Sequence, residues 1–305
     1  TASGNDEFAT PETGSLSSTS AAAEGSVSNR YITVTTDVFQ LKIDRIGGNV
    51  VESSLLQYDE SLNSEQPLKL LSSTQTRTYL LESGLIGRDG PDGRNASQAP
   101  VFNAESSEFD LSEGQDELNI DLTFTTDQGV AITKRYQLAR DSYEISVRYL
   151  ISNNSESDWQ GNFTGKIVRD QAPDPTSQAS MGIKAYLGMV VSTPEDPYEK
   201  YDFDDLSENR INQSVTNGWL AFLQHYFLTA WVPDRDQTAQ FQSTRRDQLH
   251  VMGFVSPATT VAAGDTAEIG ATAYVGPKII DRLEALAPNL DRTVDFGWLF
   301  FISLP

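Results

Sequence analysis

The stretch from residue 118 to 153 alternates apolar and polar side chains at nearly every second position. Leu118, Ile120, Leu122 and Phe124 would share one face of a strand, and the same alternation resumes after 127–129 and again after 140–141. A period of two belongs to half-buried β-strands, whose successive side chains point to opposite faces. The stretch therefore predicts three antiparallel strands joined by two turns.

Most of the remaining chain from residue 30 to 276 has the same character. The apolar run GWLAFLQHYFLTAWVP, residues 218–233, predicts two strands with a break near His225, and TAEIGATAYVGP, residues 266–277, predicts another. Many short strands without a recurring helix between them indicate two packed antiparallel sheets. The predicted fold class is all-β, with a large sandwich over residues 30–276.

Residues 1–29 are rich in Ser, Thr, Ala, Gly and Glu and contain few apolar residues. Such a composition cannot bury enough apolar surface to offset chain ordering, so we expect a flexible linker before residue 30.

One helix is expected near the end of the chain, over residues 277–287 with the sequence PKIIDRLEALA. Pro277 suits the first helical turn, and Pro288 would end the helix. The helical period places the apolar residues on one stripe. We expect four of them to dock on the sandwich: Ile279, Ile280, Leu283 and Leu286.

The charge of the chain excludes some partners. With 43 acidic and 22 basic residues the formal net charge is -21, which argues against nucleic acid binding. It also argues against docking of the domain body on anionic lipid. The chain has no cysteine, so disulfides, thiol catalysis and thiolate metal sites are excluded.

Sequence signals for catalysis or metal binding are weak. His225 and His250 could act as an acid–base pair, but each is expected to be a strand residue. Acidic runs at 87–94 and 195–205 do not follow the calcium-loop pattern and are typical of turns. Phosphate-binding, nucleophile-elbow and zinc-protease motifs do not occur. The residues alone predict a non-catalytic sandwich with no cofactor and no metal.

Four segments in series resemble a known family, the large periplasmic domains of the YidC insertases of Gram-negative bacteria. They are SGLIGRDGPD (83–92), STPEDPYEKYDFDDL (192–206), NGWLAFLQHYFLTAWVP (217–233) and the whole of 275–305. The resemblance implies a galactose mutarotase-like β-supersandwich with a short C-terminal helix. It also implies a transmembrane helix before the linker, an inner-membrane protein with several spans, and a periplasmic location for this domain.

The partners implied by the resemblance are membrane protein clients, the membrane core of the same protein, and accessory subunits of the Sec translocon. The accessory subunits would dock along an edge of the sandwich, within roughly the middle third of the domain. The domain would act as a docking module and, through its end helix, as a rigid connection to the membrane core.

The resemblance also interprets the apolar end of the chain, GWLFFISLP over 297–305. Residues 288–305 become a linker and the start of a segment on the membrane surface. Nine residues would extend only ~14 Å as a helix, far less than a bilayer. The four residues expected at the headgroup level are Trp298, Leu299, Phe300 and Phe301.

Two alternatives remain at this stage. A mutarotase-like fold could belong to a sugar-binding or sugar-isomerising enzyme that uses His225 and His250. A concave sheet could instead form a cleft that binds extended peptides or lipid-like chains.

Overall fold

The computed structural model describes residues 8, 30–61, 64–93, 99–173, 186–208 and 210–294. Within these ranges, twenty strands form two large sheets, a first sheet of 11 strands and a second of 9. Aromatic contacts join the sheets face to face: the rings of Tyr79 and Phe222 lie 5.3 Å apart, and those of Phe163 and Trp231 lie 5.9 Å apart. The prediction of an all-β sandwich with a short C-terminal helix is confirmed.

In chain order the strands are β1 Tyr31–Thr35, β2 Phe39–Asp44, β3 Asn49–Asp59, β4 Pro67–Ser73, β5 Thr78–Ile86, β6 Asn103–Ala104, β7 Glu108–Asp110, β8 Glu117–Thr125, β9 Val130–Ala139, β10 Glu144–Asn153, β11 Trp159–Arg169, β12 Gly188–Ser192, β13 Glu199–Tyr201, β14 Asn212–Thr216, β15 Trp219–Leu223, β16 Phe227–Pro233, β17 Thr238–Arg246, β18 Leu249–Val255, β19 Thr259–Val261 and β20 Thr266–Pro277. The helices are α1 Phe203–Glu208, α2 Ile280–Leu286 and a 3-10 helix at Leu290–Thr293.

The first sheet has the order β14-β17-β18-β11-β5-β4-β3-β2-β1-β7, with β19 also paired to β11. The second sheet has the order β13-β12-β15-β16-β20-β10-β9-β8-β6. Pairing is antiparallel except between β1 and β7, which run parallel. Within the described ranges, no helix is both long and apolar enough to cross a bilayer.

The alternating stretch at 118–153 forms the three consecutive strands β8, β9 and β10, as predicted. Phe124 lies opposite Ile132, and Val147 lies opposite Tyr136, so the apolar residues share the face that packs against the first sheet. Their side chains belong to one continuous core that includes both sheets. The strand period therefore fixes which face is buried.

The helix near the end of the chain starts later than the sequence predicts. Pro277 is the last residue of β20 and lies opposite Phe227, and α2 begins at Ile280. The carbonyl of Pro277 accepts hydrogen bonds from the Tyr274 hydroxyl, at 2.6 Å, and from the Ile279 N–H, at 3.0 Å. The second bond closes a tight turn at Lys278, and Ile279 then has extended backbone angles as the residue before the helix.

A second difference from the sequence-based predictions concerns Phe8, which lies within the first 29 residues. Phe8 is only 7% exposed and packs with Val168, Val251 and Val255 in a cluster separate from the main core. A single aromatic ring can bury itself on an apolar patch even where the surrounding sequence is too polar to fold by itself.

Candidate functional site

The C-terminal helix lies on the outer face of the second sheet. In β15, Phe222 points inward, because its ring contacts Tyr79 of the first sheet. Trp219 points the other way, and its indole Nε1 donates a hydrogen bond of 2.9 Å to the carbonyl oxygen of Pro288. Trp219 is 1% exposed, so the segment that follows α2 covers this part of the sheet.

The apolar stripe of α2 is only partly buried. Leu283 is fully buried in the main core, and Ile279 and Leu286 are partly buried against it. Ile280 is 39% exposed, which corrects the prediction that it docks on the sandwich. Ile280 is the first residue of a seven-residue helix, two positions after Lys278, whose N–H donates to the exposed Tyr226. It therefore lies at the end of the sandwich, while Leu283 lies over the sheet.

Polar contacts also hold α2 in place. The guanidinium of Arg282 donates to the carbonyl oxygen of Asp141 at 2.6 Å and to its carboxylate at 2.8 Å. The same guanidinium lies 5.5 Å from the centre of the Tyr143 ring. Asp141 is in the turn between β9 and β10, so Arg282 ties the helix to a different part of the sheet from Trp219.

The chain continues from α2 through the 3-10 helix, in which Leu290 and Thr293 are buried. The Thr293 hydroxyl donates to the Leu290 carbonyl oxygen at 2.6 Å. The predicted interface residues Trp298, Leu299, Phe300 and Phe301 lie outside the described residues.

A second surface, here called the acidic edge, consists of residues 193–208 and 210–216, which contain the turn 193–198, β13, α1 and β14. β13 is the last strand of the second sheet and β14 is the last strand of the first sheet. Within the described ranges β13 pairs only with β12, and β14 only with β17. The acidic edge thus carries two strand edges at the same end of the sandwich.

Helix α1 closes the gap between these two edges. The Phe203 ring lies 5.9 Å from the Phe222 ring of the second sheet and 4.7 Å from the His250 ring of the first sheet. Leu206 is 5% exposed. The helix was not predicted, although its sequence signal is present. The Asp202 carboxylate accepts the N–H groups of Asp204 and Asp205 at 2.8 Å, and Asp205 accepts the N–H of Asp202, a reciprocal N-terminal cap.

The exposed charge of the acidic edge is mostly negative. Its exposed acidic residues are Glu195, Asp196, Asp202, Asp204 and Asp205, and its exposed basic residues are Lys200 and Arg210. Strand edges present N–H and C=O groups that an extended partner segment can pair with. Negative side chains around such an edge favour a partner with basic residues.

The two histidines lie in different settings. His250 is on β18, is 1% exposed, and its Nε2 lies 3.0 Å from the side-chain nitrogen of Gln171. Burial, together with Arg245, lowers the pKa of His250, whereas Asp204 raises it. His225 is exposed in the turn between β15 and β16 and stacks on Tyr226, so the prediction that it is a strand residue is wrong. One ring is enclosed and the other is at the surface, an arrangement that gives no support to a shared catalytic cleft.

The loop that follows β5 uses one acidic residue to bind β11 and another to fold back on the end of β5. The Asp89 carboxylate accepts the Gln160 N–H at 2.7 Å, and the Asp92 carboxylate accepts the Leu85 N–H at 2.9 Å. A side chain on Gly90 would lie 2.3 Å from the Leu85 carbonyl oxygen, so this turn requires glycine. Among the described residues, no group of three or more His, Cys, Asp or Glu could hold a metal ion.

A cavity of about 380 Å³ opens beside this loop. Most residues of its lining are polar or charged, among them Arg88, Asp127 and Asp158, and its apolar members include Phe124 and Trp159. Pockets for apolar chains are lined mainly by hydrophobic side chains, and this lining does not favour a lipid-like ligand.

Beneath the loop lies a buried lysine. Lys134 is 0% exposed and donates to the carbonyl oxygens of Gly47, at 3.1 Å, and Ser83, at 2.9 Å. Burial lowers the pKa of Lys134 to about 7, and the charge of Asp92 opposes that change. Burial of the Asp92 carboxylate raises its pKa to about 6, opposed by the charge of Lys134. The sequence contains a signal for this site, because Lys134 stands at an apolar position of the β9 alternation.

A family model described as the YidC periplasmic domain matches residues 31–305. A membrane protein insertase YidC from Marinobacter nauticus is 80% identical over 302 residues, which cover 99% of this chain and 53% of that protein. The membrane protein insertase YidC of Hahella chejuensis is 46% identical over 307 residues, covering 98% of this chain and 53% of that protein. The chain spans about half the length of the curated relatives it matches.

A solved structure of a galactose mutarotase related enzyme from Lactobacillus acidophilus has the same fold. The TM-score is 0.50, and the match covers 80% of this chain and 97% of that chain at 9% sequence identity. This likeness confirms the prediction of a mutarotase-like sandwich. Because unrelated functions share a fold, it assigns no sugar chemistry to this chain.

Proposed function

The chain belongs to the family of YidC periplasmic domains, and we propose that it serves an inner-membrane insertase as a docking module and as a rigid connector. The docking partners are accessory subunits of the Sec translocon, and the connection leads to the membrane core of the same protein. Insertion of membrane protein clients is the task of that core. The relatives are named insertases and are about twice as long as this chain, which leaves room for such a core.

The observation that supports the connector is the attachment of α2. Leu283 is buried in the core, Trp219 bonds to Pro288, and Arg282 bonds to Asp141. These three contacts involve different parts of the second sheet, so the helix cannot swing without breaking several of them. A helix held in this way would transmit the orientation of the sandwich to whatever follows residue 294.

For the segment after residue 294 we propose contact with the membrane surface. Trp298, Leu299, Phe300 and Phe301 combine aromatic and aliphatic side chains, which suit the boundary between headgroups and acyl chains. A variant with Trp298→Ser, Phe300→Ser and Phe301→Ser should insert clients less well. Unchanged insertion would refute this assignment.

The acidic edge is the docking surface that we assign to the Sec accessory subunits. It follows the middle third of the domain in the sequence, carries the outer strands of both sheets, and is stiffened by α1. Its negative charge would steer a partner with a basic surface and fix the register of the contact.

Charge reversal tests this assignment. The variant Glu195→Lys with Asp204→Lys places two positive charges on the acidic edge, so the yield of Sec accessory subunits copurified with the full-length protein should fall by about fivefold or more. Cells expressing the variant should still insert clients that do not need the Sec translocon.

The matched control is Glu108→Lys with Asp110→Lys on β7, the opposite end of the first sheet, where both residues are also exposed. Melting temperatures of both variants should stay within a few degrees of the parent protein. Equal copurification in all three proteins, or an equal loss in the control, would contradict docking at the acidic edge.

A further inference from the structure

The outer face of the first sheet carries a small apolar cluster that holds Phe8. Leu80, Val168 and Val251 lie opposite one another across β5, β11 and β18, and Val255 follows two positions after Gly253. The ring of Phe8 packs on Val168, Val251 and Val255, with Leu80, Ile86 and Leu249 at the border. The three valines are at most 1% exposed.

Gly253 gives this cluster the shape of a notch, which we define by Val168, Val251, Gly253 and Val255. A side chain on Gly253 would lie 2.8 Å from Cε2 of Phe8, so the ring occupies the space that any larger residue would fill. The same side chain would lie 2.2 Å from the Gly165 carbonyl oxygen, and the close approach of β11 therefore also requires glycine. Between the side chains of Val251 and Val255, Gly253 therefore leaves its backbone uncovered, and the flat ring of Phe8 packs there.

Charge beside the notch matches the sequence around Phe8. Lys166 lies opposite Gly253, and Arg246 lies opposite Leu249. Both cations are within 3.5 Å of the Glu82 carboxylate. In the sequence, Asp6 and Glu7 come directly before Phe8. Two cations and one carboxylate leave this border with a net charge of about +1, which an acidic pair next to an aromatic residue complements.

We propose that the notch is a recognition site for an aromatic residue preceded by acidic residues, and that its occupant is Phe8 of the same chain. Phe8 is then a second point of attachment to the first sheet, in addition to the ion pair between Arg30 and Asp44, whose atoms lie 2.7 Å apart. Residues 9–29 connect the two attachment points, so the site limits how far the sandwich can move from the chain that precedes Phe8.

An intramolecular occupant has a strong advantage over a free peptide. A short connecting segment gives an effective concentration of about millimolar. A peptide of the same sequence should therefore bind poorly to the unaltered chain and better to a chain that lacks the ring. The variant Phe8→Ala provides that open site without changing any residue of the sheets.

The experiment titrates the ¹⁵N-labelled 305-residue chain with a peptide of residues 3–12, SGNDEFATPE, and follows backbone amide shifts. In the Phe8→Ala chain the amides of Val251 to Val255 should shift, with an affinity at least tenfold higher than for the same peptide with alanine at Phe8. The unaltered chain should bind the phenylalanine peptide at least tenfold more weakly than the Phe8→Ala chain. A peptide with asparagine and glutamine at Asp6 and Glu7 should bind severalfold more weakly.

Three results would overturn the proposal. The two peptides could bind the Phe8→Ala chain equally, which would show that the ring is not recognised. The shifts could fall outside β5, β11 and β18, which would place the contact elsewhere. The unaltered and Phe8→Ala chains could bind the peptide equally, which would show that Phe8 does not occupy the notch in solution. A melting temperature of the Phe8→Ala chain close to that of the unaltered chain confirms that the sheets remain folded in the test.

Discussion

Lys134 is a lysine with no solvent exposure, held at the junction of the two sheets by two carbonyl oxygens and two tyrosine rings. Its Nζ lies 5.6 Å from the ring centre of Tyr136 and 5.3 Å from that of Tyr149. Removing an ammonium group from water disfavours its charged form, which is why the pKa of Lys134 falls to about 7. The hydrogen bonds to Gly47 and Ser83 tie the turn between β2 and β3 to strand β5 of the first sheet.

This residue should give the domain a pH-dependent stability. Between the folded pKa of about 7 and the ordinary value of 10.5, the unfolded chain binds more protons at Lys134 than the folded chain does. Stability contributed by this group therefore rises with pH across that range. From pH 7 to pH 9 the free energy of unfolding should rise by about 1–2 kcal/mol relative to the variant Lys134→Met.

The measurement is urea unfolding of both proteins at several pH values in that range. Tyr136 and Tyr149 do not interfere, because burial raises their pKa values above the ordinary 10.0 and outside the range tested. Parallel stability curves for the two proteins would show that Lys134 keeps an ordinary pKa.

Individual residues are also where sequence-based prediction was weakest. The alternation of β9 marks position 134 as inward-facing, but it cannot show which carbonyl oxygens lie nearby to accept from a lysine. Phe8 stands in a polar segment, and its partners are more than 150 residues away in the sequence. His225 is a different case, because the break that the sequence predicts near it is the turn between β15 and β16.

At the scale of elements, α2 connects the sandwich to the following chain through a narrow apolar contact. The helical period correctly indicates a helix in this region, but the length of β20 decides where it starts and hence which residues face the sheet. Leu283 occupies the centre of the contact, and Ile280 lies outside it.

This difference gives a matched pair of variants. Leu283→Ala should reduce the free energy of unfolding by about 2–4 kcal/mol, because it leaves a cavity under the helix. Ile280→Ala should cost less than about 1 kcal/mol, because its side chain is already partly in water. Chemical denaturation of the two variants and the parent protein compares them directly. Equal losses, or no loss in Leu283→Ala, would show that α2 is not seated as described.

At the scale of the whole molecule, the fold class follows from local patterns, whereas the sheet order does not. Alternation reveals the strands β8 to β10 and their buried face, and a continuous apolar run reveals β15 and β16. Strand β11 pairs with β5, and β10 pairs with β20, although each pair joins segments far apart in the chain. The sequence of a strand does not indicate which other strand it pairs with. The acidic edge depends on such long-range pairing, since it exists only where β13 and β14 end their sheets.

The proposed division of labour is a property of the whole protein. In this proposal the sandwich would dock partners, and α2 with the following segment would connect it to the membrane core. A protein without the sandwich but with the connector should then retain its basic activity and lose its partner contacts.

The decisive experiment depletes cells of the insertase and asks whether a shortened protein rescues them. The shortened protein lacks residues 31–270, keeps residues 277–305 and is otherwise complete. Cells with this shortened protein should grow and insert clients, while Sec accessory subunits should no longer copurify with it. The full-length protein serves as the positive control, and immunoblotting confirms that the shortened protein is made stably. Failure of growth with a stably made protein would contradict the account, because the sandwich itself would then be required for handling clients.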